Sequence, residues 1–193
     1  MKVLKGIAYW LLSCTWGIIM TVIGFITALV MLCIGKKPHK NGYGMYFVLK
    51  NNMGSIALGP VAVVSSEDDH TLCHEYGHSW QNAFLGPFFI ILCAFPSLLR
   101  CLLVNLWENV NKVYAYLLMF GVFSCLFLLV SIALCVAYEY VIYIVLICIS
   151  GYCVALSLFL CGQRKLFTVD GIIYDAFWVE GWATKIGIKY KHA

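Results

Sequence analysis

Residues 6–35 read GIAYWLLSCTWGIIMTVIGFITALVMLCIG, a run with no Asp, Glu, Lys or Arg. The hydrocarbon core of a bilayer is about 30 Å thick, so about 20 apolar residues in a helix cross it. The run predicts a transmembrane helix over 6–34, with Trp10 and Trp16 toward its first end and Gly35, Lys36, Lys37 and Lys40 closing it. A cleavable signal peptide has an apolar core of about 7–15 residues, so this longer stretch reads as a retained anchor. A second run, between Lys112 and Arg164, holds Glu139 as its only charge. It predicts two further spans, 113–137 and 140–162, as a helical hairpin turning near Glu139.

Composition agrees. The chain has 193 residues, 63% hydrophobic and 11% charged, with a mean hydropathy of +0.89. A soluble domain carries about 25% charged residues, so the expected solvent is the lipid bilayer. The net charge of +4 comes from residues that flank the spans, which fits lipid headgroups and gives no reason to expect nucleic acid. Ten cysteines are present. All but Cys73 lie in apolar stretches and no CxxC pair occurs, so neither a disulfide framework nor a thiolate metal site is expected.

The polar parts of the chain hold the rest of the fold. Over 41–66, Met45–Leu49, Ser55–Leu58 and Val61–Val64 are strand-like, with turn signals at Asn51–Gly54 and a bulge or bend at Gly59–Pro60. A small antiparallel β-hairpin is expected there. Ser65 to Asp69 supply capping residues and first-turn acids for a helix over 69–84. Residues 86–106 are apolar but broken by Pro87, Pro96 and Arg100. The polar end of the chain predicts a last helix over 174–188. The expected fold is thus a mainly α integral membrane protein in one domain, 1–193.

His74-Glu75-Tyr76-Gly77-His78 matches H-E-x-x-H. On a helix, positions four apart share a face, so both imidazoles reach one metal ion, and Glu75 points to the same side as a general base. Zn2+ is the expected ion. His70 extends the ladder, but it lies about 12 Å along the axis from His78 at 1.5 Å per residue, too far to share the ion. It reads as a first-turn or supporting group. A third protein ligand is needed. The acids and histidine downstream are Glu108, Glu139, Asp170, Asp175, Glu180 and His192. Glu180, in the amphipathic stretch Trp178–Ala183, is the first choice; Asp175 and Asp170 are its rivals, and either could instead orient a ligand histidine. Gln81, one turn past His78, is a candidate supporting group. Tyr76 and Tyr174 are candidate oxyanion donors, with packing as the plainer reading. Ser55–Leu58 is a candidate edge strand for an extended peptide. Trp178 and Trp182 share a helix face and suit a membrane interface.

The H-E-x-x-H helix followed by a distant Glu180-x-x-Ala183 resembles the gluzincin metallopeptidases, above all the integral membrane ones such as prenyl-protein endopeptidases and membrane heat-shock peptidases. The strings His74–Gln81 with Leu85-Gly86-Pro87, and Tyr174-Asp175 through Trp178, Glu180, Ala183, Thr184 and Gly187, are also similar to a group of small bacterial membrane proteins. The resemblance covers two motifs and the hairpin before them. It implies a minimal zincin-like site, with His74, His78 and Glu180 as zinc ligands and Glu75 as base. Thr184 departs from the family, which places Asp four residues after the ligand Glu to support a ligand histidine; a hydroxyl can accept the same hydrogen bond without the charge.

If His74, His78 and Glu180 meet, an even number of spans must separate them. Residues 86–106 are therefore expected to be re-entrant or interfacial, giving about three transmembrane helices in all. The amino terminus, with Lys2 and Lys5, would then face away from the site, and the positive-inside rule puts the site on the cytoplasmic side of a bacterial membrane. The expected activity is hydrolysis of peptide bonds in a peptide or membrane-protein substrate. The competing class is a non-enzymatic metal-binding membrane protein: a chaperone or immunity partner, or a transporter component.

Overall fold

The computed structural model describes residues 2–50, 54–98, 110–138, 141–162, 167–168, 171–172 and 177–191. The chain divides into two compact units, Met1–Leu99 with Tyr174–Ala193, and Arg100–Ile173.

The first unit opens with helices α1 (Lys2–Cys14) and α2 (Ile18–Cys33). The continuous helix predicted over 6–34 is broken between them by a bend of 93°. The cause is tertiary. At the break Gly17 N donates to the Leu12 carbonyl at 2.8 Å, one residue beyond the helical register. The Trp16 indole donates to the Phe84 carbonyl at 3.2 Å, and a Cβ on Gly17 would lie 2.7 Å from Asn82 Nδ2. A straight helix would forfeit these contacts.

Strands β1 (His39–Asn41), β2 (Gly44–Val48), β3 (Ile56–Leu58) and β4 (Val61–Val64) form one sheet in the order β1-β2-β4-β3. The single antiparallel hairpin predicted over 41–66 is therefore two hairpins, β1–β2 and β3–β4, joined by a parallel β2–β4 pairing that sets Phe47 beside Val63. Gly59, at φ 60°, turns the chain between β3 and β4, so that of the expected bulge or bend at Gly59–Pro60 it is the bend that forms, as a full hairpin turn. Alternation along the strands gives the sheet two apolar faces. Phe47, Val61 and Val63 pack against Ala28 and Met31 of α2. Tyr46, Ala57, Ala62 and Val64 face the other way, with Leu72 of the next helix. β3 is an edge strand, as expected, and Ile56 on it is exposed.

Helix α3 runs from Asp69 to Leu85, close to the predicted 69–84. Its cap is Asp68, whose carboxylate accepts from Thr71 N at 2.8 Å; that bond and those from Ser66 and the Thr71 hydroxyl hold the carboxyl well below its ordinary range. Gly86, at φ 55°, ends the helix. Tyr9 of α1 ties the first helix to α3: Ser79 donates to the Gly59 carbonyl at 2.5 Å, leaving its oxygen to accept from the Tyr9 hydroxyl at 2.5 Å. Tyr9, Tyr76, Trp80 and Ala83 form one core with Ile186.

Residues 88–98 are helical, with a π-helical turn at Ile90–Ala94. This covers part of the segment 86–106; the remainder, with Arg100, lies outside the described residues. In the second unit, α4 (Val110–Tyr138) and α5 (Val141–Gly162) pack side by side, close to the predicted 113–137 and 140–162. There Ser157 donates to the Leu117 carbonyl at 2.8 Å. A short pair follows, β5 (Phe167–Thr168) and β6 (Gly171–Ile172). The final helix α6 spans Trp178–Lys191, starting and ending later than the predicted 174–188. Among the described residues one helical stretch, Ile142–Leu160, is long and apolar enough to cross a membrane, or two if the bent pair α1–α2 counts as one.

Candidate metal centre

Two glycines set the register of the site. A Cβ on Gly77 of α3 would overlap the Ala183 carbonyl oxygen, and a Cβ on Gly187 of α6 would overlap that of Cys73. Backbone therefore touches backbone at both points, and Cys73, Gly77 and Gln81 meet Gly187, Ala183 and Val179 in reverse order. This close approach carries Glu180 to the histidines.

The three groups converge. His74 Nε2 and His78 Nε2 are 3.0 Å apart, and Glu180 Oε2 is 3.1 Å from the first and 3.2 Å from the second. His74 is 3% exposed and Glu180 2%, so the triangle is shut off from solvent on most sides. Together the three side chains can hold a metal ion.

Their outer atoms fix their orientation. Gln81 Nε2 donates to the Val179 carbonyl at 3.0 Å, which turns its oxygen toward His78 Nδ1 at 2.8 Å. His78 must then carry its proton on Nδ1, leaving the Nε2 lone pair aimed at the centre. His74 Nδ1 lies 3.0 Å from Thr184 Oγ1, the bond expected of a hydroxyl in place of a carboxylate. Two imidazole lone pairs and a carboxylate facing one another are electrostatically favourable only around a cation or a shared proton. Burial alone would raise the Glu180 carboxyl, but bonds to His74, His78 and Ser97 outweigh it and keep the group well below the usual carboxylate range. Burial lowers His74. It acts the same way on His78, where Glu180 and Glu75 reverse it and raise the group.

Glu75, between the two histidines in sequence, is 5% exposed and lies within electrostatic reach of His78 and Glu180. Its Oε2 has no hydrogen-bond partner among the described residues. Burial pushes its carboxyl up to about 7, with His78 opposing and Glu180 adding. It lines a water-sized cavity with Asn41, Tyr76 and Ser79. A carboxylate in this setting has a free lone pair and a strong demand for a proton, which suits a general base.

The segment 88–98 contributes what the motifs did not reveal. Ser97 donates to Glu180 Oε1 at 2.5 Å, so the two carboxylate oxygens divide their roles, Oε1 being held by the serine while Oε2 faces the histidines. Phe89 stands edge-on to His78 at 6.5 Å. Cysteine aside, Ser97 is the only polar side chain between Gly86 and Leu99, and that isolation is the one sequence signal that could have singled it out.

The remaining candidates divide. His70 is exposed, its ring stacked 6.3 Å from that of His74, and it is outside the ligand group. Tyr76 is buried in the aromatic core, its hydroxyl accepting from Tyr43 N at 3.2 Å, so packing is its role. Trp178 and Trp182 are partly exposed. Tyr174, Asp175, Asp170, Glu108, Glu139 and His192 lie outside the described residues. Comparison of the chain with protein-family models, curated proteins and solved structures finds no match.

Proposed function

We propose that the chain is an integral membrane zinc peptidase that hydrolyses peptide bonds at or in the membrane. The observation that carries the reading is the closed triangle of His74, His78 and Glu180 beside the unpartnered carboxylate of Glu75. Zinc held at about 2.0–2.1 Å by nitrogen or oxygen ligands in a tetrahedron has ligand atoms about 3.3 Å apart. The sides of 3.0–3.2 Å come close to that edge, and a donor set of two imidazoles and a carboxylate suits zinc while leaving a fourth position for water. When bound, the ion supplies Lewis acidity, lowering the pKa of water and polarising a carbonyl.

The chain's own residues do the rest. Gln81 and Thr184 hold the two imidazoles with their Nε2 atoms inward. Ser97 holds Glu180 so that one oxygen points to the centre. Glu75 takes the proton of the attacking water and returns it to the leaving amine, a round trip that favours a pKa near the working pH. The exposed edge of β3 offers main-chain groups to an extended peptide.

Membrane placement is supported by the apolar run Ile142–Leu160, with a mean hydropathy of 2.4, and by the sparse charge of the whole chain. Excess Lys and Arg beside the spans favours the cytoplasmic side for the site. The uncharged Thr184 beside His74 favours one second reading, a metal-binding chaperone or immunity partner without hydrolysis. Membrane peptides from cells carrying wild type or Glu75→Gln separate the two. The peptidase reading requires Glu75→Gln to keep its zinc while cleaved peptides disappear, and His74→Ala to lose the zinc. Identical peptide profiles for wild type and Glu75→Gln would leave the non-enzymatic reading.

A further inference from the structure

The two arms of the first helical pair start and finish in the same neighbourhood. α1 runs along α3, with Tyr9 against Ser79 and Trp80 and Trp16 reaching the Phe84 carbonyl near the end of α3. α2 then runs back along the sheet. Gly24 meets Leu58 and Val61, and Ala28 and Met31 meet Phe47 and Val63. Val63 lies just before the segment that begins α3. The elbow is thus at the last turn of α3, and the outer ends of both arms lie toward its first turn. A direct bond closes the loop: the Tyr43 hydroxyl donates to the Lys2 carbonyl at 2.8 Å, and the Tyr43 ring lies 3.1 Å from where a Cβ of Gly6 would stand.

Lengths decide between crossing and returning. α1 has 13 residues and α2 has 16, so at 1.5 Å per residue they rise about 20 Å and about 24 Å, each short of the roughly 30 Å of a hydrocarbon core. Bent by 93° and inclined equally to the membrane normal, they descend about 14 Å and about 17 Å, or half of that thickness. The outer faces suit lipid tails. Ile7, Leu11, Ile26, Leu29 and Val30 are all more than half exposed, and the elbow presents Trp16 beside Phe88. Charge gathers at the opposite end: Lys2 and Lys5 at the start of α1, Lys36 and Lys37 after α2, and Asp68 and Asp69 at the start of α3.

We infer that α1 and α2 form a re-entrant elbow, dipping into the acyl chains of one leaflet from the side that holds the metal centre and returning without crossing. Lys2 and Lys36 then face the same compartment, and the expected full span over 6–34, with Lys2 and Lys5 on the far side, gives way to a half-depth wedge. The inference rests on the membrane part of the proposed function and is independent of hydrolysis. It keeps an even number of crossings between His78 and Glu180, because the elbow precedes both. It also moves Lys2 and Lys5 to the basic side, which strengthens the charge asymmetry.

The test uses the unmodified chain in sealed membrane vesicles of both orientations, an impermeant amine-reactive reagent, and mass spectrometry of the lysine peptides. Lys2 and Lys5, Lys36 and Lys37, and Lys185 and Lys189 of α6 are expected to label from one orientation, each at least tenfold above the other. Labelling of Lys2 and Lys5 from the orientation opposite to Lys36 and Lys37 overturns the elbow while leaving the membrane reading intact. Release of the chain by carbonate, with equal labelling in both orientations, overturns both.

Discussion

Gly187→Ala isolates the contact that brings the third ligand to the first two. Intrinsic propensity favours the change, since Ala stabilises a helix interior over Gly by about 1 kcal/mol. The tertiary contact opposes it. The added methyl would overlap the Cys73 carbonyl oxygen, and a carbon needs about 3.3 Å from such an oxygen, so α3 and α6 must separate by about 1 Å or more. Glu180 Oε2 now stands 3.1 Å and 3.2 Å from the two Nε2 atoms. After that displacement the distances approach about 4 Å, beyond the roughly 3.3 Å edge that a zinc tetrahedron allows. A misplacement of this size lowers function by about 100-fold, and the same factor in zinc affinity is about 2.7 kcal/mol. Competition against a chromophoric chelator in detergent reads the affinity, and circular dichroism checks that helix content is kept. Gly151→Ala is the control, since among the described residues nothing lies within 4 Å of a Cβ there. If Gly187→Ala binds zinc as tightly as wild type, the glycine contact does not set the ligand register.

Three further expectations follow from the same geometry. Ser97→Ala leaves Glu180 Oε1 buried without its donor, and zinc affinity should fall about 10- to 100-fold, whereas Ser97→Thr should retain it; equal losses in both variants would point to packing instead. Thr184→Asp places a carboxylate against His74 Nδ1, and should tighten zinc binding by about tenfold or more in the same chelator assay; unchanged or weaker binding would show that the hydroxyl already satisfies the site. In metal-free protein, Glu75 keeps its proton up to about pH 7 when folded but only to 4.5 when unfolded. The folded state holds the extra proton in that window, so stability should fall as pH rises from 4.5 to 7, by up to about 3 kcal/mol at 1.36 kcal/mol per pH unit. Thermal melts of the chelated protein should show that fall in wild type relative to Glu75→Gln, a difference that cancels the opposite slope of His74 common to both, and parallel slopes would contradict the assignment.

Features written locally were legible in the sequence. Asp68 and Gly86 bracket α3 because capping depends on the residue at the helix end. His74 and His78 share a face because four residues make nearly one turn. Thr184 came from the resemblance alone, which puts a supporting group four residues after the ligand Glu. The misses are non-local. Hydropathy carried the first helix straight through Thr15–Gly17, because composition does not register Phe84 waiting for the Trp16 indole, 68 residues away. The parallel seam between β2 and β4 joins segments that each read only as strand. Ser97 reaches Glu180 across 83 residues, which no spacing rule encodes.

The bond chain from Tyr9 through Ser79 to Gly59 has a bearing on protein engineering. It makes the first helix part of the packing that holds α3, the helix that carries both histidines, and not a tether to be trimmed. Deleting α1 to obtain a water-soluble fragment would strip Ser79 of its incoming proton and open the back of α3, where Tyr76 and Trp80 are sealed. Solubilisation would therefore have to begin at the outward-facing positions Val3, Leu4, Ile7 and Leu11, repainting the helix from outside while Tyr9 stays where it is.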